Sequence, residues 1–197
     1  MSNLTIGKIS TDPPPESRRV TRWGRLGLLL AAALLLVWLL TIAGLSWFYT
    51  RALLHPSCPP HAEQPPGFEI VSITTSDGVI LTGWWRAPQN GVAIILLPGH
   101  AGTRDALLPD ALLLAQAGYG VLSLDSRGCS GASATLGYRE ADDAEAMVEF
   151  VLSQPGVDQA GMLGFSAGAV AAIRSAARTP KIRAVVAQGN YRDLAHE

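Results

Sequence analysis

The chain has 197 residues, with 15 Lys and Arg against 16 Asp and Glu and a formal net charge of −1. That length fits one domain with appendages, and the near-neutral balance removes any general electrostatic case for nucleic acid as a partner. Two cysteines are too few for a disulfide framework. A bridge between Cys58 and Cys129 is possible in an oxidising compartment, but sequence alone does not support it, and Cys129 reads as a loop thiol.

Hydrophobic residues make up 48% of the chain and charged ones only 16%, which is apolar for a soluble protein. Much of the excess sits near the N-terminus. Residues 1–25 begin polar, with DPPPE at Asp12–Glu16, and are expected to form a cytoplasmic, disordered tail. The run LGLLLAAALLLVWLLTIAGLSWFY, Leu26 to Tyr49, carries no charge. As a helix it would be about 36 Å long, enough to cross a hydrocarbon core of about 30 Å with some tilt. Trp23 and the cluster Trp47, Phe48 and Tyr49 stand at its ends, where amphipathic rings favour the interface.

A cleaved signal peptide fits less well, because the run exceeds the usual h-region of roughly 7–15 residues and no A-x-A site follows. A lipoprotein fits poorly, since Cys58 lies beyond the run in a proline-rich stretch. A buried core helix also fits poorly, because the segment is apolar all round. A retained signal-anchor is expected, with the lipid bilayer as partner through residues 26–49. Lys8, Arg18, Arg19, Arg22 and Arg25 precede the run and only Arg51 closely follows. The positive-inside rule then places the N-terminus in the cytoplasm and the residues after 50 outside.

Residues 50–67 include Pro56, Pro59, Pro60, Pro65 and Pro66. They read as an extended spacer that would lift a globular domain off the membrane. His55 and His61 read as solvated linker residues rather than metal ligands, and no metal site or cofactor is expected anywhere in the chain.

The pattern changes at Phe68. FEIVSITTSDGVILTGWWRAP alternates in two runs joined at Asp77-Gly78, a hairpin signal. GVAIILLPG is a continuous apolar run of the kind a strand buried on both faces needs. Thr103–Gly118 has helical spacing, with Pro109 ending its first turn or restarting it. YGVLSLD is the next buried strand, and GYREADDAEAMVEFVLSQPG an amphipathic helix stopped at Pro155-Gly156. DQAGMLGF, SAGAVAAIRSAARTP and IRAVVAQG follow as strand, helix and strand. An antiparallel opening followed by strand–helix repetition predicts an α/β fold, a mostly parallel sheet with helices on both faces.

Ligands in such sheets bind outside the carboxyl ends of the strands. Ser166 falls at that end, within Gly164-Phe165-Ser166-Ala167-Gly168. The spacing matches G-x-S-x-G, in which a sharp strand-to-helix turn exposes a strained serine and glycines two residues either side relieve collisions. A Rossmann phosphate turn lacks its third glycine here, and a P-loop lacks its Lys-Ser/Thr. The competing structural reading is a serine that caps the helix.

From about Phe68 to His196 the chain resembles the α/β-hydrolase superfamily, and within it membrane-anchored bacterial hydrolases of the serine aminopeptidase-like and related branches. ILLPGHAGTRDALLPDALLLAQAGYGVLSLDSRGCSGAS resembles the family's H-G-x-x-x-S/T-R segment, helix, strand and D-x-R-G-x-G-x-S loop. GYREADDAEAMVEFV resembles the helix that follows, and GFSAG falls where the nucleophile elbow belongs. The resemblance implies a three-layer fold and Ser166 as nucleophile, flanked by the elbow glycines Gly164 and Gly168. It implies the backbone N–H groups of His100 and Ala167 as oxyanion donors. Pro98 stands where histidine is usual and Ser130 where glycine is usual. Asp125 and Arg127 are implied to organise their loop. His100 is not expected to be the base, because the family's triad runs serine, acid, histidine in chain order.

Only 31 residues follow Ser166, with Asp193, His196 and Glu197 among the last few. The triad's acid and base are therefore expected to lie beyond the chain, which reads as truncated before the last strands, with IRAVVAQG left as an apolar edge. The implied activity is hydrolysis of a small acyl or peptide substrate through an acyl-serine, weak or absent in this chain. The alternative is a non-catalytic, membrane-tethered binding module on the same scaffold.

Overall fold

The computed structural model describes residues 15–192, with side chains from residue 22 onward. The chain divides into two compact units, meeting between Tyr49 and Thr50.

Helix α1, Pro15–Leu54, runs unbroken for 40 residues. Within its Arg22–Leu54 portion an 18-residue stretch has a mean hydropathy of 2.7 with nothing buried inside the protein. It is long and apolar enough to cross a membrane. The expected disordered tail of residues 1–25 is corrected over its second part, because residues 15–25 are helical; residues 1–14 lie outside the described residues. The helix stops one residue before His55, which precedes Pro56 and is pushed out of the helical region by it.

The second unit is built on a sheet in the order β1-β2-β4-β3-β5-β6. Strands β1 (Glu69–Thr74) and β2 (Ile80–Arg86) form the expected antiparallel hairpin. Its turn is closed by Thr75, whose hydroxyl donates to Asp77 Oδ1 at 2.6 Å and accepts from the Val79 N–H at 3.0 Å. Gly78 there takes φ +85°, open to glycine without strain. Strand β4 (Gly120–Leu124) pairs antiparallel with β2 and parallel with β3 (Val92–Leu97), and β5 (Gln159–Phe165) and β6 (Ile182–Gln188) continue the sheet in parallel.

The apolar run of β3 serves both faces, as its alternation requires. Ile95 and Leu97 pack with Ala144, Met147, Val148 and Val151 of α3 (Glu140–Ser153) and Ala171 and Ala172 of α4 (Ala167–Ala176). Leu96 faces the other way, into a cluster with Trp84, Val121 and Ala111 and Ala115 of α2 (Leu108–Gln116). The result is the expected three-layer arrangement. Pro109 lies in the first turn of α2, so the helix starts there and not at Thr103.

Two expectations about the linker are corrected. Cys58 and Cys129 are joined by a disulfide, so Cys129 is not a free loop thiol. The proline-rich segment does not stand free as a spacer either. Besides the disulfide, the Ala62 N–H donates to Asp105 Oδ2 at 2.9 Å, the Ala134 N–H donates to Leu54 O at 2.8 Å, and Pro65 is buried. Proline-rich chain enters with little conformational entropy left to lose, and a covalent staple holds it as a strap along the loops of the domain.

Candidate functional site

The parallel strands β3, β4 and β5 all end on one edge of the sheet. After β5 the chain reverses at Ser166, which takes φ 52° and ψ −119° at the start of α4. A non-glycine residue in this region costs about 1–3 kcal/mol and persists only where its surroundings impose it. Here they do. The Ser166 N–H donates to Gln188 O at 2.8 Å, and its carbonyl accepts from Ala169 N at 3.0 Å and Val170 N at 3.2 Å.

Ser166 occupies the N-cap position of α4, yet its side chain makes no cap hydrogen bond. A capping serine has extended backbone angles and gives its oxygen to the helix N–H groups; neither condition is met. The hydroxyl is half-exposed and engaged with nothing among the described residues. The elbow glycines follow from space. A Cβ on Gly168 would run into the carbonyl oxygens of Leu97 and Pro98 at the end of β3, and one on Gly164 into the backbone of Gly168. Both clashes are with backbone, which cannot step aside.

The turn after β3 lies against the elbow. A Cβ on Gly99 would sit 3.3 Å from the Ser166 Cβ. The next residues are His100 and Ala101, the latter at φ 57°, and Gly102 N–H closes the turn on Gly99 O at 3.0 Å. Among the described residues the backbone N–H groups of His100 and Ala167 have no acceptor. Unpaired buried N–H groups are rare in folded proteins, and Ala167 is only 4% exposed. His100 Nδ1 is likewise buried without a partner among them.

At the end of β4 the charged groups are all engaged, while the Ser126 hydroxyl is buried without a hydrogen-bond partner among the described residues. Asp125 Oδ1 accepts from the Arg104 backbone N–H at 2.8 Å and from its Nε at 3.1 Å, and Oδ2 accepts from its Nη2. In the short 3₁₀ turn 127–129, Arg127 donates through Nε and Nη2 to Asp143 of α3 at 2.8 and 2.6 Å, and through Nη1 to Asp77 of the hairpin turn at 3.1 Å. Hydrogen bonding by Arg127, first of all, holds the Asp77 carboxyl far below the ordinary carboxylate range. The bonds it donates to Asp143 hold Arg127 firmly charged, while burial pushes Asp143 up against the pull of that guanidinium. Asp125 and Arg127 thus brace loops.

His61 of the strap reaches this edge too, 3.8 Å from Asp105 and 3.7 Å from Asp125. Burial raises the Asp105 carboxyl, but hydrogen bonds from Thr103 and Ala62 and the nearby His61 outweigh it, and the net direction is down. Among the described residues no group of three His, Cys, Asp or Glu side chains is placed to hold a metal ion. Asp193, His196 and Glu197 lie outside the described residues. Sequence reasoning missed Arg104, Asp77, Asp143 and His61 as partners in these loops. Only the acidic start of α3 carried a signal.

Residues 92–197 match the sequence profile of the α/β hydrolase fold family. Among solved structures, the Pyrococcus furiosus esterase Pf2001 is 30% identical with a TM-score of 0.64, and the match covers 70% of this chain and 56% of the esterase. The α/β hydrolase GrgF from Penicillium sp. sh18 is 28% identical with a TM-score of 0.55, covering 63% of this chain and 45% of that one. The chain therefore spans about half the length of these relatives. A comparison with curated proteins finds no match.

Proposed function

The chain belongs to the α/β-hydrolase fold family, and from that premise we propose that it is a membrane-anchored serine hydrolase. Ser166 Oγ attacks the carbonyl carbon of an ester, thioester or peptide bond. The carbonyl oxygen takes the negative charge and is met by the N–H groups of His100 and Ala167. Collapse of that intermediate expels the alcohol, thiol or amine and leaves an acyl-serine, which water cleaves by the same route. The dipole of α4 favours the same oxyanion.

The observation that carries this reading is the hydroxyl of Ser166, on a strained turn beside two N–H groups, all three without a partner among the described residues. A base to take the serine proton and an acid to orient it are not found among the described residues. The oxyanion hole and binding alone leave roughly 10³–10⁴-fold catalysis over water in a triad-less serine hydrolase, so slow turnover is expected of this chain.

The test is covalent capture. A fluorophosphonate should modify Ser166 slowly but ahead of every other serine, and Ser166→Ala should abolish the label, both read by peptide mass spectrometry. Label spread over many serines, or absent from Ser166 after prolonged exposure, would leave the scaffold as a binding module. For localisation, α1 is the membrane span, with its basic flank in the cytoplasm. Protease added to intact spheroplasts should digest the domain after residue 50; full protection would reverse the orientation, and release by a salt wash would remove the span.

A further inference from the structure

Another part of α4 carries chemistry that the hydrolase reading leaves unused. Two adjoining hollows, of about 320 and 280 Å³, both have Val170, Arg174, Tyr191 and Arg192 in their walls. Tyr138 completes one and Ile173 the other. The segment after β6 that supplies Tyr191 and Arg192 follows Gly189, whose Cα faces the Ser166 backbone nitrogen closely enough that a Cβ would lie 4.0 Å from it. The hollows thus adjoin the elbow without including it.

Their electrostatics are one-sided. Neither Arg174 nor Arg192 has a carboxylate partner among the described residues, whereas Arg104, Arg127, Arg139 and Arg178 all do. Among the described residues no acidic side chain lines either hollow. Glu140, at the start of α3, is occupied by Thr135 and by the Gly137 N–H. The Arg174 guanidinium lies 4.1 Å from the centroid of the Tyr138 ring, which fixes its plane, and its Nε is buried with no hydrogen-bond partner. The Tyr191 hydroxyl donates to Leu136 O at 2.6 Å, which fixes the second ring. Two like charges in one wall repel, and an anion between them relieves that repulsion.

We propose that these hollows bind a small molecule with a carboxylate and an apolar body. Two guanidinium forks match a planar carboxylate, while Val170, Ile173 and the two tyrosine rings offer an apolar and aromatic bed for the rest. A volume near 300 Å³ suits a small organic ligand. This site is independent of the hydrolase reading, since it needs no chemistry at Ser166.

The experiment titrates the full chain, in micelles of an uncharged detergent, with benzoate, benzamide and inorganic phosphate, read by calorimetry. Benzoate should bind and benzamide, its neutral counterpart, should not. Arg174→Gln and Arg192→Gln should each weaken benzoate about tenfold or more, the range of one charged hydrogen-bonding interaction. Ser166→Ala should bind benzoate as the native chain does, which separates this result from any failure of hydrolysis. Arg192 is exposed, so its variant carries the test if Arg174→Gln does not fold. No benzoate binding, equal binding of benzamide, phosphate binding without benzoate, or unchanged affinity in a folded Gln variant each overturns the proposal.

Discussion

Two loops leave the sheet at the same edge, on either side of β3, and treat their polar groups in opposite ways. After β4, Asp125, Arg104, Arg127, Asp143 and Asp77 form a network in which each charge meets an opposite charge at hydrogen-bond distance. After β5, on a turn held at positive φ, the Ser166 hydroxyl and the Ala167 N–H meet no partner among the described residues, and neither does the His100 N–H in the adjoining turn after β3. Buried polar groups are almost always paired; among the described residues the first loop leaves the Ser126 hydroxyl without a partner, but its charges are all met, so it is ordinary structure with strong parts. The second is the exception that a visiting group would explain. Charge density is thus a poor guide to chemistry in this edge, and unsatisfied valence a better one.

The largest effect should come from breaking the paired loop. Arg127→Ala leaves Asp143, whose side chain is 3% exposed, as a buried charge without its partner. Loss of one member of such a pair typically costs about 3–5 kcal/mol, to be read as a lower urea midpoint at unchanged slope. A loss below about 1 kcal/mol would mean that the network does not brace the loop. Acid should act in the same direction. The Asp77 carboxyl is held low by Arg127, so its contribution is complete above the ordinary carboxylate pKa of about 4. It fades as pH falls from there toward the lowered folded value. In Asp77→Asn that part of the acid dependence should vanish.

Next in size is the strap. Cys58 and Cys129 are 71 residues apart, and closing a loop of that size typically stabilises a fold by about 2–4 kcal/mol. Replacing both with serine should lower stability by that amount while leaving fluorophosphonate labelling of Ser166 intact. Loss of labelling in a folded double variant would show that the strap shapes the serine site, and the two loops could no longer be treated as separate.

Gly168→Ala should cost about 1–3 kcal/mol, the usual range for overpacking, because the new methyl meets the carbonyls of Leu97 and Pro98. Labelling of Ser166 should fall with it, since relief requires the elbow to move away from β3. A neutral Gly168→Ala would undo the steric account of the turn.

What the sequence made legible was local. VAIILL in β3 and the period of α3 identify their elements because burial on two faces or one leaves a periodic trace. Gly164, Ser166 and Gly168 were legible because one tight turn dictates all three. The partners of the paired loop were not: Arg104 and Asp125 are 21 positions apart and Arg127 and Asp77 are 50, and no local pattern links them. The strap was misread for the same reason. Proline content describes stiffness, and says nothing of what a stiff segment lies against. The helical state of residues 15–25 was missed because polar composition stood for disorder in a stretch that continues a long helix.

The smallest effect is the most discriminating. Ser166 sits at φ 52° and ψ −119°, a conformation costing a side chain about 1–3 kcal/mol, whereas glycine has no Cβ to strain. Glycine loses about 0.5–1 kcal/mol through the greater freedom of the unfolded chain. The net expectation is that Ser166→Gly is more stable than Ser166→Ala by about 1 kcal/mol, reversing the usual order of the two residues in folded structure. Ser166→Ala itself should lie near the native chain, because it keeps the strain and removes a hydroxyl that stabilises nothing. Both variants should lose the fluorophosphonate label. Chemical denaturation of the three chains side by side measures this directly. If Ser166→Ala is the less stable of the pair by that margin, the turn stores strain for the sake of the hydroxyl. If alanine is instead equal to or better than glycine, the backbone at 166 is relaxed, and the contrast between the paired and the unpaired loop rests on hydrogen bonding alone.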